Sequence, residues 1–226
     1  MAKPILVTIE GDIGAGKSTL IDCLKRDHPE WHFVDEPVGV WQGLKNEGGE
    51  NLLELFYKDT TKYAYTFQNC AILSRARNIQ NAVRDWQTAC VEDPSLVANN
   101  VFVTERCLDT DYNVFAKMMY DTGKMGLLEW DLYKMWYEFA KDNSYPLKGI
   151  IYVSTPPDVC DERIHIRGRK GEEHIPIEYL QSLERYQNEW LYGAECNVPL
   201  MKYINYGEVS SQSRVTDVEG FVARLA

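Results

Sequence analysis

The 226-residue chain predicts an α/β fold: a five-stranded parallel sheet with helices on both faces. Three observations carry this. Five short apolar runs, at 5–9, 32–34, 101–104, 149–154 and 201–204, have the length and composition of buried strands. Longer stretches with apolar residues at helical spacing separate them. The first run ends in a glycine-rich turn that opens into an amphipathic stretch carrying Leu20, Ile21 and Leu24. Strand, turn and helix in that order make the unit from which parallel sheets are built.

The remaining elements follow along the chain. Residues 39–49 are glycine-rich and read as a loop, and a helical pattern resumes over 51–59. The stretch from about 61 to 86 has neither Gly nor Pro and predicts one long helix. Residues 129–142 place Trp130, Tyr133, Trp136, Tyr137 and Phe139 at helical spacing, a stripe expected in the core or at a subunit interface. Pro156 and Pro157 open a helix that runs to about 166. Further helices are expected over 177–190 and, closing the chain, 215–225. No repeat, low-complexity tract or linker divides the sequence, so one domain spanning 1–226 is expected.

Composition excludes several classes. The chain is 45% hydrophobic and 26% charged, with a net charge of −10. Its isoelectric point of about 4.9 argues against a nucleic acid polymer or an anionic membrane as partner. Six cysteines without a C-x-x-C pair and four scattered histidines argue against a zinc site, and the thiols read as reduced core residues. No run approaches the ~18 apolar residues of a membrane span. The first apolar run is too short for a signal peptide and strand character begins near residue 4, so a cytoplasmic location is expected.

The turn after the first strand reads Gly11-Asp12-Ile13-Gly14-Ala15-Gly16-Lys17-Ser18-Thr19. This is the G-x-x-x-x-G-K-[ST] P-loop pattern, in the strand-to-helix context it needs. Its glycines let consecutive N–H groups turn inward around an anion, and the following helix adds the positive end of its dipole. Lys17 supplies a point charge for the outer phosphates of a nucleoside triphosphate, and the Ser18 hydroxyl can ligate Mg²⁺.

In open parallel sheets, ligands sit beyond the carboxyl ends of the strands. After the second strand come Asp35, Glu36 and Pro37, where a carboxylate can act as general base or simply form an acidic turn. After the third come Glu105 and Arg106, then Asp109 and Asp111. An acid there suits a second Mg²⁺ contact, and the arginine can clamp a phosphate or the attacking oxygen. Gln68, Ala71, Ile72 and Arg75 share one face of the long helix. By spacing alone that face reads as a partly exposed flank, with a heterocycle site as the alternative. Arg163, Arg167 and Arg169 cluster beside Gly168 and Gly171, as in an arginine-bearing lid over transferring phosphates.

Taken together these segments resemble one family, the deoxyribonucleoside kinases of the deoxycytidine kinase, deoxyguanosine kinase and mitochondrial-type thymidine kinase group. The likeness covers residue 5 to about 190: the P-loop, Glu36-Pro37-Val38 with Trp41, Tyr65-Thr66-Phe67-Gln68 through Leu73-Ser74-Arg75, Glu105-Arg106, the arginine segment, and Ile175-Pro176-Ile177-Glu178-Tyr179-Leu180. The glutamine helix and the lid with its Ile-Pro segment are its specific parts. The resemblance implies a P-loop kinase fold with a lid at about 163–175, acting as a homodimer. It implies transfer of the γ-phosphoryl group of ATP, or another triphosphate, to the 5′-hydroxyl of a deoxynucleoside in nucleotide salvage. Glu36 is then the base and Arg106 holds the reacting oxygen. Lys17, Arg167 and Arg169, supported by Arg163, stabilise the phosphate, while Ser18 and Glu105 serve Mg²⁺. Tyr57 and Glu172 bind the 3′-hydroxyl; Trp41, Phe67 and Phe115 sandwich the base, with Gln68 at its edge and Ala71 beside it. Arg75 and Asp111 match the deoxycytidine and purine kinases, which favours deoxycytidine or a deoxypurine over thymidine, since a carboxylate accepts from an exocyclic amine.

The chain departs from that pattern at three places. Cys107 replaces a serine, Tyr112 stands where a basic residue is common, and 203–217 does not align with the adenine-reading loop. The nearest rival is a nucleoside monophosphate kinase of thymidylate kinase type, which needs an extra basic group near its acceptor. A GTPase-type switch needs an Asn-Lys-x-Asp reader, and the chain has no Asn-Lys pair. A non-catalytic nucleotide-binding module is the third rival, and the set Lys17, Glu36 and Arg106 argues against it.

Overall fold

The computed structural model describes residues 3–169, 172, 175–206 and 211–225. Five strands form one parallel sheet: β1 Ile5–Glu10, β2 His32–Val34, β3 Val101–Glu105, β4 Leu147–Ser154 and β5 Leu200–Ile204. Their order is β2-β3-β1-β4-β5. Chain order reverses beside β1, which opens a crevice at the carboxyl end of that central strand.

The apolar runs are continuous because both faces of the sheet are covered. Val7, Ile9, Val103, Ile151 and Val153 join the main core. Their neighbours point the other way: Leu6, Val34 and Phe102 meet Ile79, Val83 and Trp86, while Ile150 and Tyr152 meet Leu191. Alternation along each strand therefore sorts apolar side chains between two helical layers.

The helices are α1 Lys17–Asp27, α2 Val38–Gly43, α3 Leu52–Lys58, α4 Thr60–Glu92, α5 Leu108–Thr110, α6 Lys117–Asp121, α7 Leu127–Asp142, α8 Pro157–Arg167, α9 Ile177–Leu191 and α10 Ser211–Ala223. A 3₁₀ turn, Pro94–Ala98, precedes β3, and a π-helical segment, Asp111–Ala116, joins α5 to α6. A capping box starts α3, in which the Asn51 side chain accepts from Glu54 N and the Glu54 carboxylate accepts from Asn51 N.

The structure corrects the sequence expectation in several places. Residues 39–49, expected as a loop, begin within the short helix α2, because Gly39 and Gly43 do not outweigh the helical turn that Val40 N and Trp41 N close onto the Pro37 carbonyl. α4 has 33 residues and outruns 61–86 at both ends. The Asp59 side chain caps its start at Lys62 N, and Pro94 prevents its continuation. β4 begins at Leu147, two positions early, and α10 begins at Ser211 instead of 215. The aromatic stripe of α7 divides: Trp130 and Tyr133 face the core, whereas Leu128, Leu132, Met135, Trp136 and Phe139 are exposed. Among the described residues no helix is long and apolar enough to cross a membrane.

Candidate active site

The turn after β1 cannot be built from ordinary residues. Gly14 and Gly16 have φ of 83° and 94°. A Cβ on Gly14 would stand 2.5 Å from the Cys160 carbonyl, and one on Gly16 would stand 2.4 Å from Asn205 Nδ2. Between them the Ala15 carbonyl accepts from Asn205 Nδ2 at 2.6 Å, Thr155 Oγ1 at 3.0 Å and Arg163 Nη1 at 3.3 Å. The loop is thus held from β4, α8 and β5, while α1 starts at Lys17. Lys17 is buried, its Nζ donating to the Asp12 carbonyl at 2.8 Å and lying 3.6 Å from Glu105. This cradle fits an anion: it is closed to larger side chains, dipole-facing and supplied with a lysine.

Glu36 lies across the crevice at the end of β2. Its Oε1 accepts from Arg106 Nη1 at 2.9 Å and from Arg75 Nη2 at 3.3 Å. Burial alone would raise its pKa, but Arg106, Arg75 and Lys17 outweigh that and bring it to about 2. Arg106 has φ of 63°, the left-handed region, which turns it back from β3 toward Gly11 O at 3.2 Å. Ser18 Oγ donates to Glu105 Oε2 at 3.1 Å, placing a hydroxyl and a carboxylate side by side at the mouth of the cradle.

Both groups open into a cavity of about 640 Å³. Its far wall comes from α4, which places Phe67, Gln68, Ala71 and Arg75 on one lining face. Gln68 and Arg75 are 1% and 3% exposed, so the partly exposed flank expected from spacing alone is incorrect. The face is covered because α3 and the π-helical segment pack on either side, a tertiary arrangement that helical spacing does not encode. Arg75 binds Asp111 twice, at 2.8 and 3.2 Å, and donates to Glu105 O at 2.6 Å. Burial pushes the Asp111 carboxyl up and Arg75 opposes it. Phe67 stacks on Phe56 at 4.4 Å and meets Trp41 edge-on at 5.2 Å, and Trp41 Nε1 donates to Ser74. The Arg106 guanidinium lies 5.1 Å from the Phe115 ring centroid.

The arginine segment is split between helix and loop. Arg163 and Arg167 lie on α8, which ends at Gly168 in the left-handed conformation. Arg167 and Arg169 both bind the buried Glu172, the latter at 3.1 Å. Lys170, Gly171 and Glu173, also assigned to the lid, lie outside the described residues.

Of the residues singled out from sequence, Ile13, Gly14, Gly16, Lys17, Ser18, Thr19, Glu36, Trp41, Tyr57, Phe67, Gln68, Ala71, Arg75, Glu105, Arg106, Asp111, Phe115, Arg163, Arg167, Arg169 and Glu172 line this one cavity. Gly11, Asp12 and Ala15 lie behind its wall and support it. Sequence reasoning missed Leu53 and Phe56 of α3 and gave no role to Tyr179 of α9, all of which line the cavity. Tyr179 Oη and Gln68 Nε2 are buried without a hydrogen-bond partner among the described residues. Polar atoms left so are where a ligand completes the bonding. Tyr179 carried a signal, since it falls within the Ile-Pro segment quoted above.

A sequence model of the deoxynucleoside kinase family matches residues 7–222. Deoxycytidine kinase 2 of Gallus gallus is 35% identical over 201 residues, 82% of this chain and 73% of that protein. Deoxycytidine kinase of Homo sapiens is 34% identical over 200 residues, covering 82% and 74%. Mitochondrial deoxyguanosine kinase of Xenopus laevis is 31% identical over 199 residues, covering 82% and 72%.

The P-loop acid gives a pH prediction. Asp12 is 3% exposed, and burial pushes its carboxyl up to about 7, opposed by Lys17 and reinforced by Glu184. Gln187, with its amide turned to satisfy both ends, donates to Asp12 Oδ1 at 3.3 Å and accepts from Gly11 N at 2.9 Å. Between about pH 4 and 7 the folded chain holds a proton that the unfolded chain has released, so stability falls as pH rises through that window. Asp12→Asn is therefore expected to stabilise the fold by a few kcal/mol at about pH 8 and by much less at about pH 4. Urea midpoints at the two pH values test this, and equal gains would show that Asp12 is ionised throughout.

Proposed function

The chain belongs to the deoxynucleoside kinase family, and from that premise we propose how its residues divide the work. The family makes it a phosphotransferase acting on the alcohol group of a deoxynucleoside in salvage, and sets aside the monophosphate kinase alternative. One observation carries the assignment of roles: a half-buried carboxylate, Glu36, pinned by two arginines, faces the P-loop across a cavity large enough for a nucleoside.

The 5′-hydroxyl enters beside Glu36 and Arg106. The carboxylate orients it and accepts its proton, and the guanidinium holds the oxygen in line with the phosphate. With a pKa of about 2, Glu36 is a weak base. That suffices, because phosphoryl transfer passes through a loose transition state in which the nucleophile contributes little and its proton leaves late. The work is mainly positioning and charge stabilisation. The amides of residues 11–19 and Lys17 hold the triphosphate of ATP or a related donor. Arg163, Arg167 and Arg169 close on it once the latter two exchange Glu172 for phosphate oxygens. Ser18 and Glu105, whose oxygens lie side by side, would hold Mg²⁺, a hard cation that takes few protein ligands. When bound, it neutralises charge on the transferring group.

Tyr57 and Glu172 take the 3′-hydroxyl, and Trp41, Phe67 and Phe115 enclose the base, with Ala71 leaving room at its side. Gln68 offers its unpartnered amide to the base edge. The Asp111 carboxylate, fixed by Arg75, accepts from an exocyclic amine and repels a carbonyl. The preferred substrate is thus deoxycytidine or a deoxypurine. The 1–226 chain acts as one domain. The exposed face of α7, with Leu128, Leu132, Met135, Trp136 and Phe139, is the homodimer surface. Six free cysteines suit a reducing, cytoplasmic setting.

Glu36→Gln is expected to lower kcat by roughly 10²–10⁴ with nucleoside KM largely kept, the range for a lost general base. Wild-type turnover in that variant would remove Glu36 from its role. Ranking kcat/KM over the natural deoxynucleosides should place thymidine below deoxycytidine and the deoxypurines; thymidine in first place defeats the Asp111 argument. Light scattering should give twice the chain mass for the wild type and the single-chain mass for Trp136→Glu, and a monomeric wild type refutes the α7 interface.

A further inference from the structure

We propose that Tyr112 is a positioning residue for base recognition: its ring, stacked between two aromatic rings of α7, fixes the π-helical segment that presents Asp111 and Phe115 to the cavity. This rests on the nucleoside-kinase reading above and names a residue that never touches the substrate. Tyr112 is also one of the positions where the chain departs from the pattern it otherwise resembles.

A π-helical turn is rare and occurs mostly as a single turn within α-helices, frequently at functional sites, so the contacts that hold this one matter. Here the turn carries two lining residues, Asp111 and Phe115. On the cavity side it is held by the Arg75–Asp111 pair. On the opposite side it is held by rings. Tyr112 stacks on Tyr137 at 4.1 Å with planes 13° apart, and on Trp130 at 5.2 Å and 17°. Trp130 stacks in turn on Tyr120 of α6 at 5.2 Å and 10°. The result is a four-ring ladder, Tyr120–Trp130–Tyr112–Tyr137, alternating between α7 and the chain around the turn.

The same helix holds α5 at Asp109, two positions before the turn. Asp109 accepts from Tyr137 Oη at 2.6 Å and from Lys141 Nζ at 2.7 Å. Asn113 Nδ2 closes the segment by donating to Asp109 O at 3.0 Å. The wall from Asp109 to Tyr112 is therefore clasped from behind, and Asp111 has no independent freedom to follow or avoid a base. A displacement of about an ångström at such a group is enough to lose a directional hydrogen bond. Leucine at 112 keeps apolar bulk but neither stacked face; phenylalanine keeps both faces and loses only the hydroxyl.

The test is steady-state kinetics of the full chain with deoxycytidine, deoxyadenosine and thymidine, varying nucleoside and donor separately. For Tyr112→Leu the KM of the preferred nucleoside should rise on the order of tenfold, with the donor KM within about twofold, as expected for losing two ring contacts on one wall only. The ranking among bases should flatten in the same variant, and Tyr112→Phe should behave as wild type. A purely structural role would lower thermal stability and the active fraction while leaving nucleoside KM and the ranking unmoved. That result overturns the proposal, as does a Phe variant as impaired as the Leu variant. Should Tyr112→Leu not fold, Trp130→Leu strips one face of the ladder and is read in the same way. A wild type that phosphorylates no nucleoside would instead refute the kinase reading itself.

Discussion

A half-buried carboxylate at the end of a strand must be matched by positive charge, and Glu36 is matched twice. Arg106 and Arg75 reach its Oε1 from the end of β3 and from the middle of α4. Arg75 continues to Asp111 and to the Glu105 carbonyl, and Arg106 continues to the Gly11 carbonyl. Two guanidinium groups thereby tie together the carboxyl ends of β1, β2 and β3, the long helix and the π-helical turn. Removing one partner of such a buried network leaves an uncompensated charge and costs about 3–5 kcal/mol, so the network constrains the shape of the site whatever it adds to net stability. The left-handed backbone of Arg106 belongs to the same constraint: a conformation that disfavours side chains is held because the guanidinium is bound on the far side of the crevice.

Around this fixed centre the cavity has been left incomplete. Gln68 Nε2 and Tyr179 Oη are withdrawn from water with no partner among the described residues. A buried donor without an acceptor is destabilising, and it is tolerated where a ligand supplies the missing bond. The lid arginines are in the opposite condition, satisfied at Glu172 until something competes for it. Fixed charge at the centre, open donors on the cavity wall and arginines held only by Glu172 form a gradient from fixed to adaptable.

Much of this was legible in the sequence because much of it is local. The five apolar runs became five strands, since continuous Val, Ile and Leu segments are stable only where both faces are covered. The P-loop was legible because glycine spacing and backbone geometry are the same information. The site was less so where it depends on packing between distant segments. Helical spacing placed Gln68 and Arg75 on one face but gave no reason for that face to be buried, because α3 and the π-helical turn cover it from elsewhere in the chain. The pairing of Arg167 and Arg169 with Glu172 was likewise invisible, since a run of charges reads the same whether solvated or cross-linked. The π-helical turn has no periodic signature of its own. The length of α4 was underestimated because its limits are set by the Asp59 cap and by Pro94 and not by its apolar pattern.

The Ala15 carbonyl gathers donors from Thr155, Arg163 and Asn205, the last 190 positions later in the chain. The phosphate cradle looks like the most self-contained piece of the molecule, yet its backbone is braced by the final strand. As the polypeptide leaves the ribosome, the glycine turn emerges well before its struts at Thr155, Arg163 and Asn205. The nascent chain therefore has no finished anion pocket until Asn205 has emerged, and the cradle is completed together with the sheet that braces it.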